Sequence, residues 1–286
     1  MTHPALTQGR AAVITGAASG IGLAMAEALA RLGMKLALAD VDAAALEKAA
    51  AGVATLAAQP ADVIAVPTDV GRLEAVERLK DAAYGAFGEV ALLMNNAGIE
   101  ADGRLFAPRE NWQRLIDVNL WGVVNGVQAF APAMIAQGTP AAIVNTGSKQ
   151  GITCPPGNTA YNVTKAGVKV VTEALAHELR NTPGCRVTAH LLVPGFTFTG
   201  FTRARVTEKP AGAWTPEQVI EFGLEAMGRG EFYILCPDND VTRAMDERRI
   251  QWAADDIIAN RPALSRWHPD FKDAFATFMD GTGPAR

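Results

Sequence analysis

Short β-rich runs alternate with helical stretches along this 286-residue chain, and that alternation most limits the folds open to it. The β-rich runs fall at residues 11–15, 35–39, 62–66, 91–95, 141–146, 186–193 and 232–236. Helical stretches lie at 20–32, 42–58, 73–86, 109–137, 158–180 and 216–227, with a tail helix from about 238 to 260. Strands that alternate with helices imply βαβ units and a parallel sheet. Right-handed crossovers then put helices on both faces. The expectation is an α/β fold, a doubly wound parallel sheet of about seven strands. With 49% hydrophobic residues and no linker before residue 195, one large domain is expected.

The first β-rich run leads straight into Thr15-Gly16-Ala17-Ala18-Ser19-Gly20-Ile21-Gly22 and then a helix. Glycines let a backbone approach a pyrophosphate closely, and a helix N-terminus offers free N–H groups. The spacing is Gly16-x3-Gly20-x-Gly22 rather than the better-known dinucleotide fingerprint. Such a turn also occurs as a plain strand-to-helix connection. Asp40 closes the second run, about 20 residues past the glycines, where a carboxylate accepts hydrogen bonds from ribose hydroxyls. It would repel a 2′-phosphate, and Ser19 and Val41 stand where a cation would serve one. The expected cofactor is NAD, in a Rossmann-like dinucleotide-binding fold. The competing reading makes Asp40 a helix N-cap, a role open equally to Asp42.

Tyr161 and Lys165 stand four apart, so one helix face carries both. A free phenol titrates near pH ~10 and is a poor base at neutrality. A neighbouring cation favours the phenolate, so Lys165 is expected to lower the pKa of Tyr161 and fit it for proton transfer in an alcohol–ketone pair. The spacing alone is weak, since many helices carry it by chance. Its context is stronger: Ser148 follows the fifth β-rich run, at the strand end where open α/β sheets place ligands. A loop-like stretch with Pro155, Pro156 and Gly157 separates it from the helix of Tyr161.

A net charge of −4 argues against a nucleic-acid partner. Cys154, Cys185 and Cys236 lack metal-ligand spacing and imply no disulfide framework, which fits a reducing cytoplasm. The polar N-terminus and the lack of an apolar run of ~18 residues predict neither signal peptide nor membrane span.

Taken in order, the glycine turn, Asn95-Asn96-Ala97-Gly98, Asn119, Ser148, Tyr161 and Lys165 resemble the short-chain dehydrogenase/reductase family over residues 9 to 236. Asp69-Val70 and Pro194-Gly195-Phe196-Thr197-Phe198-Thr199 extend the likeness. The resemblance implies that Tyr161 is the acid/base, that Lys165 also binds nicotinamide-ribose hydroxyls, and that Ser148 holds the reacting oxygen. Asn119 would anchor a water in a proton relay, or merely cap or kink its helix. Asp69 and Val70 would meet the adenine, though Asp69 also suits a bond within its own turn. Asn96, Ala97 and Gly98 would line the adenosine ribose, with Asn96 equally a structural residue. Thr199 would bind the carboxamide with help from the Thr197 backbone, and Pro194 and Gly195 would also contact the cofactor.

Substrate is set by loops grafted on such folds. Phe196, Phe198, Phe201 and Trp214 lie in or after the loop at about 195–215, either as an apolar pocket wall or as packing for the loop itself. Gln150, Cys154 and Pro156 form a second candidate wall, and Lys149 either steers an anion or faces solvent. The extension at about 238–286 places apolar residues at helical spacings and must pack on its own subunit or on a partner. The expected protein is a homodimer or homotetramer that uses NAD on a secondary alcohol or ketone, bulky or aromatic. A sugar or polyol dehydrogenase is the alternative, and a non-catalytic nicotinamide-binding regulator a further one.

Overall fold

The computed structural model describes residues 2–200 and 208–281. Its strands are β1 (Ala11–Thr15), β2 (Lys35–Asp40), β3 (Val63–Pro67), β4 (Leu92–Asn95), β5 (Ala141–Thr146), β6 (Val187–Val193) and β7 (Tyr233–Leu235). All seven lie in one parallel sheet, ordered β3-β2-β1-β4-β5-β6-β7. The expected α/β fold is therefore the one observed. β1 and β5 are buried at every position, as strands covered on both faces must be. The chain leaves β1 for β2 on one side and returns to β4 on the other. That reversal opens a crevice at the C-terminal strand ends.

Side chains of successive strand residues enter opposite layers. Ile14, Leu36 and Met94 face α1 (Gly20–Arg31) and α8 (Pro216–Gly228), where Met25, Leu29 and Val219 meet them. Val13, Ala37 and Leu93 face α3 (Leu73–Phe87), α5 (Gly122–Ala136) and α7 (Thr159–Asn181), against Leu79, Phe130 and Leu175. α2 (Ala43–Ala54) lies beside β2 and β3.

Three local departures from the sequence expectation bear on the site. The helix expected across 109–137 is α4 (Arg109–Ile116) and α5 joined by a π-helical turn at Asp117–Trp121, which contains the buried Asn119. The loop expected after Ser148 begins with a short helix, α6 (Gln150–Thr153), ended by Cys154 in the left-handed region at φ 46°. The tail helix, expected from 238, starts at the Thr242 cap as α9 (Arg243–Ile258), because the Asp238 side chain first folds a turn around Asp240 and Val241.

The extension packs on its own subunit. Ile250 of α9 joins Val168, Leu191, Val193 and Leu235 in a cluster beside α6. Trp252 organises the rest: its ring meets Phe275 and Phe278 of α10 (Lys272–Met279) at 5.3 and 5.2 Å. Its Nε1–H donates to Ser265 Oγ at 2.8 Å, and the Arg261 guanidinium stacks 4.0 Å from the ring. Among the described residues no helix is long and apolar enough to cross a membrane.

Candidate active site

The turn after β1 is held by the residues that directly follow β4. Thr15 Oγ1 accepts from Asn96 N–H at 3.0 Å and Ala97 N–H at 3.1 Å. The Asn96 amide donates back to Thr15 O at 3.1 Å, so Asn96 has a structural role whatever else it does. Gly16 and Gly20 take φ of +66° and +56°, which side-chain-bearing residues rarely adopt. α1 then begins with Ser19 as N-cap, and no side chain caps its first N–H groups. This is a ready anion site at the mouth of the crevice.

Asp40 reaches into the same crevice. Its Oδ2 accepts from Ala18 N–H at 3.1 Å and its Oδ1 from Asp42 N–H at 3.2 Å. Asp42, not Asp40, caps α2, accepting from Ala45 N–H at 3.0 Å. The two roles left open for Asp40 are thereby separated. Among the described residues the only cations lining the crevice are Lys149 and Lys165, both at its far end. Asp69 accepts from Gly71 N–H within its own turn at 3.0 Å, and Val70 is buried with its carbonyl bound to Asn125. Neither lines the crevice; Gly22 and Ala97 stand behind its wall.

At the far end, Asn158 caps α7 and fixes the turn that presents Tyr161, accepting its N–H at 3.3 Å. Lys165 is 5% exposed and donates to Thr146 O at 2.8 Å. Its ammonium lies 5.8 Å from the Tyr161 ring centroid. Burial pushes the phenol up to about 12, partly opposed by a hydrogen bond with Ser148 and reinforced by the Glu100 carboxylate. Burial also pushes Lys165 down to about 8. The expected lowering of the phenol by the ammonium does not hold in this structure: desolvation drives both groups toward their neutral forms.

Asn119 has a definite partner. Its Oδ1 accepts from Ile99 N–H at 2.7 Å and its Nδ2 donates to Ile99 O at 2.9 Å. The π turn thus seats the side chain against the irregular segment that follows β4, and Ile99 itself lines the crevice.

The crevice is one cavity of about 560 Å³ running from Gly16, Gly20 and Asp40 to Ser148, Tyr161 and Lys165. The loop after β6 closes one side with Pro194, Gly195, Phe196, Thr197 and Thr199. The aromatic residues divide. Phe196 is 44% exposed at the cavity wall. Trp214 is scaffold: its N–H donates to Phe196 O at 2.8 Å, its carbonyl accepts from Phe198 N–H at 2.9 Å, and its ring packs edge-on to Phe222. Phe198 does not line the cavity, and Phe201 lies outside the described residues. A second, outer cavity of about 880 Å³ shares Ile99, Glu100, Gln150 and Gly200 with the first, and adds Pro156 and Arg114. Cys154 lines neither, and burial raises its thiol pKa.

Lys149 neither faces solvent nor waits for an anion. It is paired with Asp238 and Asp246, two carboxylates the sequence did not single out. No local spacing signals them, since Asp238 is 89 residues away in sequence.

Residues 10–210 match the family described as short chain dehydrogenase. The chain is 38% identical to a short chain dehydrogenase/reductase of Burkholderia phymatum solved in complex with NAD. That match has a TM-score of 0.80 and covers 89% of this chain and 96% of that one. A putative short-chain dehydrogenase of Novosphingobium aromaticivorans is 26% identical at a TM-score of 0.75, covering 96% of both chains, so the likeness takes in most of the C-terminal extension. A curated relative, 1-deoxy-11-beta-hydroxypentalenate dehydrogenase of Streptomyces exfoliatus, is 34% identical over 91% of this chain and 94% of its own length.

Proposed function

The chain belongs to the short-chain dehydrogenase family, and on that premise we propose that it interconverts a bulky secondary alcohol and its ketone with NAD. One observation carries the reading. A single cavity joins the glycine turn and Asp40 to Ser148, Tyr161 and Lys165. The donor set fits NAD: free N–H groups of α1 for the pyrophosphate, a carboxylate for one ribose, a buried ammonium for the other. The lack of a cation beside Asp40 among the described residues favours NAD over NADP. The NAD complex of the Burkholderia relative supports the same choice.

NAD supplies hydride acceptance when bound. Ser148 Oγ orients the substrate oxygen, and the neutral Tyr161 phenol, hydrogen-bonded to Ser148, gives that oxygen its proton in ketone reduction. In alcohol oxidation the phenol first gives up its own proton and then takes the alcohol's. Lys165 binds ribose hydroxyls and supplies positive charge near the phenol. Thr197 and Thr199 serve the carboxamide. Asn119, whose carboxamide is bound to Ile99, anchors a water of the proton relay. The outer cavity of about 880 Å³ gives room for a bulky substrate past Gln150. Exposed Trp121, Val163 and Val170, on the turn before α5 and on α7, support a homodimer as the smallest assembly.

The test is a screen of purified protein with NAD against aliphatic, benzylic, steroid and sugar alcohols, followed by absorbance of the reduced cofactor. Turnover of bulky apolar alcohols is expected, with NADP a poor substitute. Turnover of sugars alone would select the polyol reading. NAD binding without turnover of any alcohol would select the regulator.

A further inference from the structure

Lys149 directly follows Ser148, and its ammonium lies 2.6 Å from Asp246 Oδ2 and 3.4 Å from Asp238 Oδ2. The two carboxylate side chains are each 5% exposed. Asp246 belongs to the first turn of α9, and Asp238 to the turn just after β7. Asp238 has further partners. Its Oδ2 accepts from Phe196 N–H at 3.0 Å, while its Oδ1 accepts from Asp240 and Val241 N–H at 3.1 and 2.8 Å. One buried carboxylate therefore ties together the start of the substrate loop, the residue beside the reactive serine, and the root of the C-terminal extension.

The loop path is moulded to this cluster. A Cβ on Gly195 would fall 2.7 Å from Asp238 Oδ2, 3.0 Å from Lys149 Nζ and 2.9 Å from the Pro237 backbone oxygen, so a side chain there would have to displace both the cluster and the backbone. The charges nearly balance, with Arg249 Nη1 3.9 Å from Asp246 Oδ1 as the second cation. Buried ion pairs of this kind add little stability over well-packed apolar residues, yet removing one partner strands the others in a poorly solvated place. Their use is to fix geometry, and here three segments distant in sequence must all dock before the cluster is complete.

We propose that Lys149 and Asp238 are positioning residues that hold the Phe196 loop against the Ser148 turn, and that Asp246 couples the C-terminal extension to both. The inference rests on reading the cavity as the alcohol site, and its test does not need turnover. Amide hydrogen exchange is measured on the full chain for Lys149→Met, Asp238→Asn, Asp246→Asn and Lys149→Arg. Exchange in the peptide 194–199 should rise about tenfold in Lys149→Met and Asp238→Asn, with the peptide 11–24 unchanged. Lys149→Arg, which keeps a cation between the carboxylates, should restore it. Asp246→Asn, nearly isosteric, should speed exchange at 147–152 and carries the test if Lys149→Met does not fold. Where an alcohol is turned over, the KM for alcohol should rise, and NAD affinity should fall with it, because Thr197 and Thr199 of the same loop serve the carboxamide. Unchanged exchange at both peptides, or an equal rise across the whole sheet, overturns the proposal. An alcohol screen without turnover sinks the alcohol reading and leaves the exchange result standing.

Discussion

Gly151 lies flat against the backbone of Lys165: a Cβ on the glycine would sit 2.4 Å from the lysine carbonyl carbon and 2.5 Å from its oxygen. This contact seats α6, and with it Gln150 and the Ser148 turn, directly on α7. Gly151→Ala must push the two helices apart. Overpacking of this kind costs about 1–3 kcal/mol. The alanine variant should lose several degrees of Tm and most alcohol turnover while still binding NAD. Calorimetry and rate assays check this, and a variant matching wild type in both would show slack between the helices.

Tyr161→Phe removes the proposed proton-transfer group and almost no volume. NAD affinity should persist in titration calorimetry while turnover falls to background. Substantial residual turnover would move the acid/base role to another group.

Asp40→Ala removes the carboxylate that, among the described residues, lines the glycine-turn end of the crevice, the end proposed for the adenosine ribose. A hydrogen bond to a charged group contributes roughly 1.5–3 kcal/mol, so NAD affinity should fall about 10- to 100-fold. Part of that loss is structural, because Asp40 also accepts from Ala18 N–H in the glycine turn. Loss of the like charge should make NADP relatively better. A wild type that already prefers NADP would overturn the assignment of Asp40.

Stability should depend on pH through the two buried groups. Lys165 is pushed down to about 8 from 10.5, so between these values the unfolded chain holds a proton that the folded chain has released. The Lys165 contribution then rises with pH across that window, opposed above pH 9 by the Cys236 thiol, which burial pushes up to about 12. Tyr161 is pushed up to about 12 from 10.0, so above pH 10 the folded chain holds the extra proton and stability falls. Denaturant titrations should find the rise from about pH 8 flattened in Lys165→Met. They should find the later fall reduced in Tyr161→Phe. A rise of equal size in Lys165→Met would assign it to other groups.

The sequence by itself determined the sheet, the glycine turn, the placing of Asp40 at the end of β2, and the shared helix face of Tyr161 and Lys165. Each is a local matter of period, spacing or strand-end position, fixed within a few residues. The tertiary structure decided what depends on which distant segments meet. It gave Asn119 to Ile99 through a π turn, turned Trp214 inward onto Phe222, and closed Asp238 and Asp246 on Lys149. It also reversed the expected shift of the Tyr161 phenol. A neighbouring cation can be read from i and i+4, but desolvation is set by everything packed around the pair, and here burial outweighs the neighbour.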